Sequence, residues 1–335
     1  MTGMGSTTGD LKRRDIVLRL GAITLLGIGL SLGAHLSRSG AGPGQSKSGK
    51  LFPKLARDLS KVSRIQILGP SNQFELVKVS GKWVMPRADS YDIAEAPLRR
   101  LLKAVSDLRY IRALPPPTQQ DAAASDIDPR TGGDGVWLSL ETETRDKLAT
   151  LILARRGDRT LVLVSDDSTF YEVTSADWPS LTSARAWLDL PQFDIPPERI
   201  ATISLTRPRQ GPIDIVRRPD GGFAPVGGRA NASITDIALV LTRLAFQDAR
   251  RESRLIGPAS FRHETSLKSG LIIALEGYEA DGQFWVKVAV DARKAATDQE
   301  GQRLAEATRG WAYQVPPKLG TLLSTPTALL LQAGP

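Results

Sequence analysis

No cysteine occurs in the 335 residues, and only two histidines do, His35 and His263. The first absence removes disulfides, thiolate metal sites and cysteine nucleophiles, and leaves the redox compartment undecided. The second argues against a histidine-based metal site. Also missing are the Gly-x-Ser-x-Gly, His-Glu-x-x-His, dinucleotide-binding and calcium-loop patterns, so the common hydrolase, metalloprotease, oxidoreductase and calcium-module chemistries lack their residues. A Gly-x-x-x-x-Gly-Lys string ending at Lys50 is followed by Leu51 instead of Ser or Thr, and no strand pattern precedes it. It therefore lacks both the magnesium ligand and the scaffold of a phosphate loop. With 41% hydrophobic and 24% charged residues, the composition is that of a globular protein.

The net charge of +8 is unevenly placed. Residues 1–50 carry seven Lys/Arg against Asp10 and Asp15, so five of the eight excess charges sit there. The remainder has no basic stripe interleaved with aromatics, which excludes a nucleic-acid footprint. The charge flanks an apolar run over residues 16–36, long enough as a helix to span roughly 31 Å, about a bilayer core. Lys12, Arg13 and Arg14 precede it, and the positive-inside rule keeps residues 1–15 in the cytoplasm and everything after Leu36 outside it. A cleaved signal peptide, including a twin-arginine signal built on Arg13 and Arg14, is the alternative and gives the same compartment. Residues 37–51 read as a flexible Gly/Ser linker.

Beyond the linker one pattern occurs twice. Val79-Ser-Gly-Lys-Trp-Val-Met-Pro86 brings an apolar run to a Gly turn and leads out through an aromatic to a proline; Arg217-Arg-Pro-Asp-Gly-Gly-Phe-Ala-Pro225 does the same about 140 residues later. Alternating strands precede each turn, at residues 62–68 and 73–79 in the first copy and 200–206 and 213–216 in the second. A helix follows each. Over 93–108 the stripe is Leu98, Leu101, Leu102, Val105 and Leu108; in the second copy Ser233 reads as the cap and Ile234, Ile237, Ala238, Leu241, Leu244 and Ala245 as the stripe. Further strands are expected at 136–140, 148–154, 160–164 and 170–173, and at 271–275, 284–290 and 311–315, with 291–309 a polar surface insertion. Each unit of about 140 residues is long enough to bury a core of its own. The fold class is α+β: an N-terminal transmembrane helix, then repeat one (52–190), a Pro-rich linker (191–197) and repeat two (198–331), each an antiparallel sheet with one amphipathic helix.

Candidate chemistry is sparse. Asp166-Asp167 falls in a polar turn, and Glu141-x-Glu143 puts both carboxylates on the solvent face of a strand end. His263, in Phe261-Arg-His-Glu-Thr, reads as an exposed loop histidine. Six tryptophans, at 83, 137, 178, 187, 285 and 311, sit in apolar runs or at domain ends, which favours packing over a carbohydrate surface. The Asn231-Ala-Ser233 sequon carries no weight beside the capping role of Ser233. No catalytic, cofactor-binding or metal-binding residue is assigned, and no cofactor.

The order of elements resembles a known bacterial family. Ile65-Gln-Ile67, Gly81-Lys-Trp83, the helix Leu98-Arg-Arg-Leu-Leu-x-x-Val-x-x-Leu108, Asp126-Ile-Asp-Pro129 and Ala186-Trp-Leu-Asp189 look like domain-of-unknown-function family 4340. The likeness covers residues 60–190 well and 198–325 more loosely, with Phe223 for Trp and no closing Trp-Leu-Asp. The resemblance implies an inner-membrane, periplasm-facing auxiliary of ABC-type transporters of the gliding-motility kind, with no catalytic residue to carry over. The expectation is thus a single-pass, non-catalytic periplasmic binding or scaffold protein whose partners are the inner membrane and an ABC permease or another envelope protein, and not nucleic acid. Two alternatives stay open: a periplasmic enzyme acting on an envelope polymer or lipid through Asp166, Asp167 or His263, and a glycan-binding module.

Overall fold

The computed structural model describes residues 49–114, 127–164, 169–228, 232–291 and 299–331. All of these belong to one compact unit, which lies within Ser46–Pro335. The apolar run 16–36 lies outside the described residues; among these no helix is long and apolar enough to cross a membrane.

The first half contains β1 (Gly49–Lys50), α1 (Leu55–Asp58), β2 (Arg64–Leu68), β3 (Gln73–Val79), β4 (Lys82–Met85), β5 (Tyr91–Asp92), α2 (Glu95–Ser106), β6 (Arg109–Leu114), β7 (Val136–Glu141), β8 (Lys147–Arg156), β9 (Arg159–Val164) and β10 (Phe170–Val173). After β11 (Gln192–Phe193) the second half contains β12 (Ile200–Thr206), β13 (Ile213–Arg217), β14 (Phe223–Pro225), α3 (Ala232–Ala238), β15 (Leu244–Ala245), β16 (Asp248–Arg251), β17 (Phe261–Leu267), β18 (Ile272–Ala280), β19 (Gln283–Asp291), α4 (Gln299–Thr308), β20 (Trp311–Gln314), α5 (Pro317–Ser324) and α6 (Thr327–Leu330). Among the described residues strand outweighs helix, 41% to 26%, and all pairings are antiparallel, which makes the body α+β.

Both halves use one strand order. The first sheet runs β4-β3-β2-β7-β8-β9-β10-β6, flanked by β5 and β1; the second runs β14-β13-β12-β17-β18-β19-β20-β16. The glycine turns that mark the repeat sit at the same place in each. Gly81 and Gly221 both have φ of 86°, a value an L side chain rarely adopts, but they serve different turns. Ser80 and Gly81 are both left-handed, which makes a two-residue type I′ hairpin, whereas Gly221 closes a turn begun by the Arg218 carbonyl.

Strand faces follow the alternation. Ile65 and Ile67 of β2, and Ile203 and Leu205 of β12, point into the core while their neighbours stay half-exposed or exposed. Helix α2 buries Leu98, Leu101 and Val105 and carries ion pairs Arg99–Glu95 at 2.6 Å and Lys103–Asp107 at 2.7 Å on its wet side. Its counterpart is shorter than the stripe predicts. Helix α3 stops at Ala238, a 3₁₀ turn covers Val240–Thr242, and Leu244 and Ala245 are strand. Ser233 lies inside this helix, after Ala232, instead of capping it. The polar stretch 291–309 contains α4, which packs on β19.

The halves share one core. A single cluster of buried side chains runs from Leu55 to Leu330. Where the halves meet, aromatic rings form a continuous run: Phe193 edge-on to Phe246 (5.8 Å), Phe246 stacked on Tyr313 (4.6 Å), Tyr313 edge-on to Tyr91 (6.1 Å) and Tyr91 edge-on to Trp311 (4.6 Å). Around it, Arg87 pairs with Asp248 at 3.3 Å, and Asp89 accepts the Arg251 backbone N–H at 2.9 Å and pairs with Arg254 at 2.5 Å. Residues 191–197 are built into this contact: Phe193 and Ile195 are buried, and β11 pairs with β15. Phe246→Ala is expected to cost about 3–5 kcal/mol in chemical denaturation. Unfolding should remain one transition, with fluorescence and circular dichroism coincident; two separated transitions would show that the halves fold independently.

Candidate functional site

Of the candidates raised by the sequence, Glu141, Glu143 and His263 lie among the described residues, the glutamates on and just after β7 and the histidine on β17 of the other half. Asp166 and Asp167 lie outside the described residues. Glu143 is exposed, but Glu141 is not on the solvent face as expected: it is buried, and its Oε1 accepts the Ser139 hydroxyl at 3.0 Å. Trp187 and Trp285 are buried and the other four tryptophans are partly buried against the core clusters. Among the described residues no group of three or more His, Asp or Glu could hold a metal ion.

His263 is the largest correction. It lies in mid-β17, wholly buried, and not in an exposed loop. Phe261, His263, Thr265 and Leu267 alternate with exposed or half-buried residues, a period-two signal masked by the polarity of the inward residues themselves. His263 pairs across the ladder with Leu205 and Thr265 with Ile203; in the first half Leu138 pairs with Ile67 and Leu140 with Ile65. His and Thr thus occupy the positions of two core leucines. The imidazole Nε2–H donates to the Ile237 carbonyl at 2.9 Å, one of the acceptors left open at the end of α3. Burial holds the His263 pKa down at about 4, so the ring is neutral and Nδ1 is left without a partner.

With α3 ended there, the chain runs extended through β15 and a groove opens beside it at the seam. Its other wall is set by Trp187, which is buried against Phe74 (6.1 Å) and donates its Nε1–H to the Ser180 carbonyl at 2.7 Å. The 3₁₀ turn Ala184–Trp187 therefore leaves Arg185 and Ala186 outside. Leu188 bridges to Ile93, and the Ala94 N–H bonds the Trp187 carbonyl, so the closing segment first follows the edge of the first sheet and then crosses to β15. Tyr91 donates to the Asp189 carbonyl at 3.2 Å and Tyr313 to the Ala307 carbonyl at 3.1 Å. Burial pushes the Tyr91 pKa up to about 12 and raises that of Tyr313, so both remain protonated donors.

The groove consists of two adjoining clefts of about 570 and 550 Å³ that share Arg185. The first is lined by Arg185, Asp189, Asp194, Thr242 and Arg243 together with the backbone of β11 and β15; the second by the amides Asn72, Gln73, Gln247 and Gln314 and by the Arg87–Asp248 pair. A larger cleft of about 840 Å³ lies beside the Gly81 hairpin. Two of its charged groups are already engaged: Lys61 with Asp58 at 2.7 Å, and Asp146 with the Thr144 hydroxyl at 2.6 Å. In the seam groove, by contrast, Arg185, Arg243, Asp189 and Asp194 enter no ion pair among the described residues.

No protein-family model, curated protein or solved structure matches the chain.

The buried imidazole ties stability to pH. Its folded pKa of about 4 lies below the unfolded value near 6.5, so the unfolded chain binds the extra proton between these limits. Stability is complete above about pH 6.5 and falls as pH drops toward 4, by on the order of 3 kcal/mol from this group. His263→Leu, which restores the residue type of Leu138, should flatten that acid limb in denaturation measured at several pH values. An unchanged limb would assign the proton uptake elsewhere.

Proposed function

We propose that this protein is a membrane-anchored periplasmic binding or scaffold component, non-catalytic, serving an ABC-type transport complex. The observation that carries the reading is the seam: two halves with one core, bearing on their shared surface a groove whose first cleft holds charged groups of both signs that enter no ion pair among the described residues. Free charges in a concave surface suit recognition, where desolvated partners can be paired one by one. The basic residues before the apolar run 16–36 support anchoring with the N-terminus in the cytoplasm and the two repeats outside it. The transporter association rests on the order of motifs over residues 60–190, which resembles domain-of-unknown-function family 4340 although no family model matches the chain. The enzymatic alternative has lost an accessible His263, whose ring ends α3, and would rest on Asp166 and Asp167.

Mild crosslinking of the full chain in its native membrane, followed by purification under denaturing conditions, should yield a covalent adduct with a permease or another envelope protein. Recovery of uncrosslinked chain alone, at crosslinker levels that capture a known inner-membrane complex, would sink the scaffold reading.

A further inference from the structure

We propose that the seam groove binds an extended peptide segment of a partner protein, which adds as a strand beside β11 and β15 and places carboxylates on Arg185 and Arg243. This rests on the binding-module reading above and names the ligand class. The β11–β15 ladder is a separate sheet of two strands, each two residues long, and no third strand pairs with it among the described residues. So short a ribbon is marginal alone and presents unpaired backbone groups, the substrate for strand addition. Here it is held by its inner face, where Phe193, Leu244 and Phe246 are buried, while Gln192, Asp194, Arg243 and Ala245 are exposed on the outer one. The first cleft opens along these same residues.

Charge and ring placement favour a peptide over a sugar. Glycan sites offer an exposed aromatic face to stack on; the rings lining this groove, Phe74, Phe193 and Phe246, are all buried, and Phe246 is occupied by Tyr313. Arg185 stands where the two clefts join, exposed and in no ion pair among the described residues, and Arg243 lines the first cleft immediately before β15. Two guanidiniums without carboxylate partners match acidic side chains or a chain terminus, which they grip bidentately. Asp189 and Asp194 in the same cleft set the register by rejecting acids elsewhere along the segment.

The probe is a fluorescent hexapeptide alternating Val and Glu, titrated against the full chain in detergent micelles, with its C-terminus free or amidated to separate terminal from side-chain carboxylates. Saturable binding and at least about tenfold slower amide exchange at Leu244 and Ala245 are expected. Arg185→Glu with Arg243→Glu should weaken binding at least about tenfold and transfer preference to the Val/Lys counterpart. Both side chains are exposed, so the folded body, checked by circular dichroism, should persist. Absence of saturation up to about 1 mM, the weak limit of recognition, would overturn the proposal. So would binding indifferent to charge reversal, or binding of chitohexaose in place of the peptide. A permease captured by crosslinking while the peptide fails removes the groove assignment alone. Peptide binding without any membrane adduct removes the transport reading and leaves the groove.

Discussion

The hydrogen bond from His263 to the Ile237 carbonyl satisfies the end of α3, and the seam is arranged around that ending. In the first half Leu138 occupies the same ladder position and has nothing to offer a carbonyl, and α2 runs for 12 residues. In the second half the imidazole takes the Ile237 oxygen, and α3 closes after seven. The residues that would have formed its last turns are released to become β15, with Leu244 still buried but now presented from a strand. Without that release β11 would have no partner, and the chain between the halves would be a tether instead of part of the core.

The aromatic run then fixes the halves against each other. A buried tyrosine needs a partner for its hydroxyl, and the two at the seam use main-chain carbonyls on opposite sides, Asp189 and Ala307. The Asp189 carbonyl belongs to the closing segment that walls the groove, so the packing that joins the halves also positions the groove. The repeated plan of eight strands accounts for the two sheets. Of the additions to it, β5, β11 and β15 fall where the halves touch, and there the two copies stop being equivalent.

Local rules make much of this legible. The two glycine turns, the strands before them and the stripe of α2 follow from alternation, helical period and the need for positive φ, all of which act within a few residues. The failures share a cause. The stripe 234–245 has helical spacing, and most of its residues are indeed buried, but a side chain 26 residues away takes its carbonyl, and no window on the sequence contains both. Strand β17 escapes the pattern because its inward positions hold His and Thr, and hydropathy sees apolar residues, not inward ones. Glu141 is misleading for the converse reason: its strand face is covered, and a charge there looks solvated in sequence. The groove is not legible at all, since its lining comes from segments separated by up to about 240 residues in the chain.

The same substitutions leave buried polar atoms at ladder positions where the first half packs leucine. His263 Nδ1 and the Thr265 hydroxyl are buried without partners where the first half packs Leu138 and Leu140. Arg207 is buried between α5 and α6 with its Nε donating to the Leu323 carbonyl and Nη1 to the Thr327 hydroxyl, but Nη2 is unpaired, and burial lowers its pKa. Each unpaired buried group costs about 1–3 kcal/mol against an apolar core. The first half has such groups of its own, Ser63, Asn72, Trp137 and Trp178 among them, so both halves gain from the apolar surface buried where they meet. Phe246 and Tyr313 are buried at the seam against Phe193 and Tyr91, so a ligand that adds to β15 would order a ribbon whose inner face is part of the contact between the halves.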